Sequence, residues 1–282
     1  MKISIITPNY NYEKYLPELL RSVAAQDYPD IEHVIVDDGS TDNSVAVIQD
    51  FVHQFPQRFK LIQQANAGQS AALNTALKAV TGDLILWINS DDYFTENVFQ
   101  KIAQYFTNHP TVDILFGDIH FVDLDSQFIF THRNQSFRYT EAALLGFTMF
   151  LSSNSVVWRS EIMEGIDGFN AHLKCNMDGD FYSRLFYNNN FAYQPLAIAN
   201  FRKQPFSKAA ENDDKWTVLM YREIDEELRA NMLRIHAENW PKLVVTGLQY
   251  LLRIKRGVIR LISLRNWQKS QQVKLYQRKQ KA

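Results

Sequence analysis

The 282 residues contain a single cysteine, Cys175. No internal disulfide can form, so the chain suits a reducing, cytoplasmic setting in which Cys175 is a filler. Long apolar runs are also missing. No stretch reaches the about 18 uninterrupted apolar residues of a spanning helix. The opening Met1 to Pro8 has too short an apolar run for a signal peptide and reads as a buried strand. Internal repeats and low-complexity tracts are absent. Acidic residues stop at Glu238, while Lys242 to Lys281 holds 11 Lys and Arg. The preceding part carries 19 basic against 31 acidic side chains, so a net charge of -1 hides two oppositely charged regions.

What is present is a globular composition. With 46% hydrophobic, 22% charged and 13% aromatic residues, the chain is too rich in core formers to be disordered. Its length allows one large domain with an appendage. Short apolar runs alternate with amphipathic segments up to about residue 108, which predicts βα units on a largely parallel sheet. Strands are expected at Ile3 to Thr7, Glu32 to Asp37, Phe59 to Gln64 and Leu84 to Ile88. The helices between them carry the stripes Leu16, Leu19, Leu20 and Val23; Val45, Ile48 and Val52; and Ala72, Ala76, Leu77 and Val80. From 111 to 205 shorter strands, Val112 to Phe116 and Phe128 to Thr131, mix with helices near 140–146 and 180–187. No linker interrupts 1–210, which reads as one domain.

Ligands on open parallel sheets bind beyond the carboxyl ends of the strands. Three of those ends are polar: Thr7-Pro8-Asn9-Tyr10-Asn11, Asp37-Asp38-Gly39-Ser40-Thr41-Asp42 and Asn89-Ser90-Asp91-Asp92. Taken alone, the second fits a tight turn and helix cap, and Asp91-Asp92 fits an N-cap pair for a helix starting near Thr95. Taken together they line one crevice. Adjacent carboxylates repel, and a hard divalent cation bridging to a pyrophosphate relieves that repulsion. No basic residue for a triphosphate lies between Thr7 and Tyr12, which argues against a nucleotidyltransferase. A paired-carboxylate glycosidase would not call for this crevice.

These motifs, with Asn66-Ala67-Gly68-Gln69-Ser70, Asn74, Thr81-Gly82-Asp83 and Trp87-Ile88, resemble the family 2 inverting glycosyltransferases of GT-A fold over about 205 residues. The resemblance implies an α/β, GT-A type nucleotide-binding sheet with flanking helices. It implies a nucleoside-diphosphate sugar donor, UDP-linked as a first choice, held by Thr7, Pro8, Tyr10, Asp38, Gly68, Asn74, Asp91 and Arg202. The family's Asp-x-Asp motif maps onto Asn89-Ser90-Asp91, with Asn89 replacing its first Asp. Asp91 is then assigned to ribose and metal and Asp92 to metal, with Mg²⁺ or Mn²⁺ as the cofactor.

Gly165-Ile166-Asp167-Gly168-Phe169 and Met177-Asp178-Gly179-Asp180 extend the match. Asp178 takes the general base's place, Met177 stands where Glu is common, and Leu73 stands where Arg is frequent. The competing reading makes Asp178 and Asp180 caps of the helix through Leu185. Arg202, within Asn200 to Lys208, matches a late basic segment that neutralises the diphosphate. The expected activity is transfer of a sugar to a glycan or lipid-linked acceptor in polysaccharide or glycoconjugate assembly. A catalytically inactive nucleotide- or glycan-binding scaffold is the alternative, given Asn89 and Met177.

Residues 211–282 are expected to form a helical extension, acidic from Asp213 to Asn231 and basic from 242. Val244, Leu248, Leu251, Ile254, Val258 and Ile262 recur at helical spacing with Arg253, Arg256 and Arg260 turned away. Such a helix either lies on the inner face of an anionic membrane, where a lipid-linked acceptor would be found, or packs on the catalytic domain or a second subunit. Nucleic-acid binding is not expected, because no binding motif accompanies the basic residues.

Overall fold

The structure, a computed structural model, describes residues 1–147, 151–203, 219, 222–224, 226–228, 230, 231, 234 and 247. Four strands pair in parallel: β1 (Ile3–Asn9), β2 (Ile31–Asp37), β3 (Phe59–Gln63) and β4 (Leu84–Trp87). Ile3, Ile5, Ile6, Val34, Ile35 and Leu84 to Leu86 are buried, as expected for strands covered on both faces. Between them run α1 (Leu16–Ala24), α2 (Ser44–Gln54) and α3 (Gln69–Leu77). The four expected strands and the three helices therefore sit where the periodicity placed them, except that α3 ends at Leu77 and leaves Val80 of the third stripe beyond it.

The rest completes the sheet differently. β5 (Tyr93–Phe94), β6 (Ile114–Val122), β7 (Phe128–His132), β8 (Val156–Arg159) and β9 (Phe191–Arg202) give, among the described residues, a nine-stranded sheet. Its order is β3-β2-β1-β4-β8-β6-β9-β5, with β7 added to β6. β8 is antiparallel to both β4 and β6, so the chain crosses from the parallel half into a mixed half at β4. The flanking helices here are α4 (Val98–Asn108), α5 (Tyr139–Leu145) and α6 (Met177–Leu185).

One core lies on each face. Leu16, Leu20, Phe99, Phe106 and the odd-numbered isoleucines of β1 fill one. The other is aromatic, with Trp87, Phe116, Phe137, Phe181 and Tyr182 among its members.

β1 runs two residues beyond the expected Thr7 because Pro8 and Asn9 still pair with Val36 and Asp37, whereas its pairing with β4 stops at Ile6–Trp87. Pro8 is tolerated because β4 no longer flanks the strand there. The staggered ends open the crevice that holds the polar clusters. The helix expected from near Thr95 begins instead at Val98, with Asn97 at its N-cap, so Asp91 and Asp92 do not cap it.

No helix among the described residues is long and apolar enough to cross a membrane. The expected basic helix from 242 falls, apart from Gly247, outside the described residues, as do 204–210 at the expected domain boundary.

Candidate active site

The first two polar clusters are stitched together. Asn9 donates through Nδ2 to Asp37 Oδ2 at 2.8 Å, and Asp37 Oδ1 accepts the Ser40 N–H at 3.0 Å. Asn11, at φ 57°, accepts the Thr41 N–H at 2.8 Å. Asp37 thus serves the tight turn, while Asp38 reaches across the crevice. Its Oδ1 accepts from Gln64 Nε2 (2.7 Å) and the Ala67 N–H (2.9 Å), and its Oδ2 accepts the Gly68 N–H (2.8 Å). With three donors on about four lone-pair sites and 3% exposure, Asp38 holds the loop before α3. Gly68 supplies one of these donors at φ 89°, a conformation that favours glycine. It is exposed at the mouth of the crevice.

Thr7 is fully buried, and its hydroxyl pairs with His33 Nε2 at 2.8 Å. Only its backbone is left for the crevice. Pro8 accepts the Ser90 hydroxyl through its carbonyl at 3.0 Å, and Tyr10 is 45% exposed. Asn74 is engaged elsewhere: it accepts the Phe169 N–H (2.6 Å) and donates to the Phe169 carbonyl (2.7 Å), closing a two-bond clamp on the loop before α6. The amide group mapped to the donor is therefore occupied by protein backbone.

After β4, Asn89 Oδ1 accepts from Trp87 Nε1 and Gln69 Nε2, both at 3.1 Å. Asp91 and Asp92 then part company. Asp91 is partly exposed. Asp92 is 2% exposed, with Oδ1 accepting the Arg202 N–H at 2.7 Å and Oδ2 accepting from Asn154 Nδ2 at 2.5 Å. Burial, and next the Asp91 charge, push the Asp92 carboxyl well above the usual carboxylate range against the pull of those donors. Tyr12 faces the pair. Burial and then the charges of Asp91 and Asp92 push its phenol up to about 12. Sequence reasoning passed over Tyr12 and Asn154, neither of which belongs to a motif.

Arg202, expected to neutralise the diphosphate, is held on several sides by protein groups. It is 2% exposed. Its guanidinium donates to the carbonyls of Asp91 (3.0 Å), Asp123 (3.2 Å) and Leu124 (3.1 Å), to Ser126 Oγ (3.0 Å) and to Glu18. Tyr15 and Tyr93 lie against it at 5.0 and 5.7 Å. Nε holds the Asp91 carbonyl, Nη1 the 123–126 turn and Nη2 Glu18, so this buried side chain ties the Asp91 backbone to β9.

Asp178 lies in the first turn of α6, whose N-cap is Asn176, so the simple capping alternative does not describe it. Its Oδ1 still accepts the N–H of Gly179 in that turn at 3.0 Å, so the carboxylate does part of the work the capping alternative gives it. Burial pushes its carboxyl up, against the backbone donors. Asp180 pairs instead with Arg184, at 2.7 Å. Packing brings α6 to the crevice. Tyr182 lies 6.5 Å from Trp87 between ring centres, and Ser70 Oγ of α3 is 3.0 Å from Met177 Sδ. Met177, 8% exposed, is thus a packing residue between the two helices.

Among the described residues no three His, Cys, Asp or Glu side chains gather into a closed metal site. The partly exposed Asp91 carboxylate and the buried Asp92 are the expected metal residues; a hard cation there would take most of its ligands from substrate and water.

The family model for glycosyl transferase family 2 matches residues 4–162. An uncharacterized glycosyltransferase of Nostoc, alr2836, is 44% identical over 115 residues, 41% of this chain and 36% of that protein. Poly(ribitol-phosphate) beta-N-acetylglucosaminyltransferase TarS of Staphylococcus aureus is 35% identical over 117 residues, 41% of this chain and 20% of TarS. The chain thus spans well under half the length of both relatives. The structure of TarS 1–349 in complex with UDP-GlcNAc superposes with a TM-score of 0.65 at 23% identity, covering 88% of this chain and 70% of that one. The mannosyltransferase PcManGT of Pyrobaculum calidifontis, in complex with GDP-Man and Mn²⁺, gives 0.56 at 17% identity, covering 96% and 84%. At these identities the structural likenesses speak for the fold alone, which is GT-A. A match running through β1, β2, β4 and the Asp91–Asp92 turn covers more than half of the sequence, and the chain belongs to glycosyl transferase family 2.

Proposed function

We propose that this chain transfers a sugar from a nucleoside-diphosphate donor to a hydroxyl acceptor with inversion. The observation that supports the reading most is the family 2 match through the strand ends that carry Asp38 and the partly exposed Asp91, with α6 packed beside them by Tyr182 at 6.5 Å from Trp87 of β4. UDP-GlcNAc in the TarS complex makes a UDP sugar the first donor to try.

Asp178 accepts the proton of the acceptor hydroxyl as that oxygen bonds to the anomeric carbon. On the opposite face the bond from that carbon to the diphosphate oxygen breaks, and the nucleoside diphosphate leaves with the electron pair. A bound Mg²⁺ or Mn²⁺ supplies positive charge against that leaving group; PcManGT was solved with Mn²⁺. Asp91 is its protein ligand in this reading, and Asp92, whose oxygens both accept protein donors, holds the turn instead of the metal. Asp38 keeps the 64–68 loop shaped for the base, with Tyr10, Pro8 and the Thr7 backbone beside it. Arg202 acts through the Asp91 backbone, not on the diphosphate.

The acceptor we propose is a glycan or lipid-linked glycan, with the basic segment from 242 resting on a membrane surface or on protein. The second reading, an inactive binding scaffold, draws on Asn89, an amide that accepts two protein donors where the family motif has a carboxylate. A panel of UDP- and GDP-sugars, titrated calorimetrically with Mn²⁺, Mg²⁺ or EDTA and then assayed for nucleotide release, separates the two. Metal-dependent binding with turnover supports the transferase, binding without turnover supports a nucleotide-binding scaffold, and no binding to any donor sinks the transferase and leaves a glycan-binding scaffold.

A further inference from the structure

Behind the first turn of α6, on the side away from β4, sit two buried carboxylates that the reading above leaves without a task. Glu223 and Glu227 are each 4% exposed and lie one helical turn apart among the helical residues 222–224 and 226–228. Asn176 at the N-cap of α6 makes no side-chain cap bond of its own. The capping comes from a distance. Glu223 Oε1 accepts the Lys174 N–H at 2.9 Å, and its Oε2 accepts those of Cys175 at 2.8 Å and Asn176 at 3.0 Å.

Glu227 fixes the same turn from one step further along. Its Oε2 accepts from Asn176 Nδ2 at 2.7 Å, and its Oε1 accepts the Phe147 N–H and Asn231 Nδ2, both at 3.2 Å. The helix comes so near that a Cβ on Gly179 would stand 2.6 Å from Glu227 Oε2. Arg234 adds a bond to Ser183 Oγ of α6 at 3.2 Å.

We propose that Glu223 and Glu227 are positioning residues for the transfer reaction: they hold residues 174–179 from behind and so set where the Asp178 carboxylate points. Three consecutive N–H groups on one carboxylate form an anion-holding concavity turned inward. Two charge-assisted contacts separated by one turn resist both sliding and rotation of the helix start. A base displaced by about 1 Å costs roughly 100-fold in rate, so this support is felt at the reaction through the turn that carries Asp178. Residues far along the chain from the matched 4–162 region are then part of the catalytic apparatus.

The inference rests on the assignment of Asp178 as base. It is tested in the full chain with Glu223→Gln and Glu227→Gln. Each places an amide N–H₂ where a donor now points, at nearly unchanged volume. UDP released from UDP-GlcNAc and UDP-glucose with Mn²⁺ gives kcat and KM with water as acceptor. Labelling of Cys175, the only thiol, reports opening of the 174–176 loop.

Glu223→Gln is expected to lower the unfolding midpoint by several degrees and, assayed well below that midpoint, to lower kcat at least tenfold with donor KM within twofold and to label at least tenfold faster. If Glu223→Gln fails to fold, Glu227→Gln, which keeps the three N–H bonds and loses the acceptor of the Asn176 side chain, carries the kcat and KM comparison alone. Parental kcat and labelling rate in the folded variants overturn the proposal. So does a fall of kcat matched by an equal loss of donor affinity in the folded variant, the mark of a site disrupted as a whole. A parent chain that releases no nucleotide from either donor defeats the assignment of Asp178 and this proposal with it, and is recognised by the parent's silence, not the variants'.

Discussion

Adjacent side chains on the turn after β4 live in different surroundings, and substitution should separate them. Asp92→Ala removes the acceptor of the Arg202 N–H and of the Asn154 amide, both buried. Leaving those donors unsatisfied costs about 1–3 kcal/mol each, so the unfolding midpoint in calorimetry should fall by several degrees. Asp91→Ala, at a partly exposed position, should leave the midpoint within about 1 °C while abolishing the Mn²⁺ dependence of donor binding. Both carboxylates were legible in the sequence as a pair, but their division of labour was not. It depends on Asn154 and Arg202, which lie 62 and 110 residues further along the chain.

The same limit applied to Asn74 and Arg202. Their residue types fit a donor site, yet each is also bonded to backbone from distant parts of the chain, which the sequence does not show.

Helix ends show the limit at the next scale up. The apolar stripes of α1 and α3 are local patterns and were readable, as were the buried parallel strands. The cap of α4 was not, because it is supplied by Gln26, which is buried. Gln26 Oε1 accepts the Val98 N–H at 3.0 Å, and its Nε2 donates to the carbonyls of Thr95 (2.8 Å) and Ser22 (3.1 Å). A helix N-terminus presents unsatisfied N–H groups wherever no local cap exists, and this fold answers from 72 residues away.

Gln26→Ala should therefore destabilise by about 1–3 kcal/mol, measured by denaturant unfolding. Gln26→Glu should recover part of the loss by keeping the acceptor toward α4. β8 and β9 escaped prediction for a related reason. β9 mixes Ala, Pro, Asn and Gln with its apolar residues, and its pairing with β6 shifts register twice, so no period of two survives in the sequence.

For the molecule as a whole, acid is the telling variable. His33 is fully buried, and burial depresses its ring to about 3, far below its ordinary 6.5. Its unfolded form binds a proton below about 6.5 that the folded form refuses, so stability is lost as pH falls from there toward 3. Between pH 7.5 and 5.0 this group alone should lower the unfolding free energy by about 2 kcal/mol, and His33→Gln should flatten that slope in guanidinium titrations. Asp92, raised by burial, acts with the opposite sign: its contribution is fully present below the unfolded carboxylate value and is lost as pH rises through the folded one. Activity should follow the raised Asp178, with the acid limb of the kcat profile lying above the range of an exposed aspartate, since only the ionised carboxylate accepts the acceptor's proton.

The comparison that bears most directly on the transferase reading is nucleotide release from UDP-GlcNAc with Mn²⁺ by the parent chain and by Asp178→Asn, with donor affinity measured alongside. The geometry predicts that Asp178→Asn lowers kcat by about 100- to 10,000-fold and leaves donor affinity within twofold. A variant that turns over at the parental rate would contradict the assignment of Asp178 as the base, and with it the mechanism proposed for this crevice.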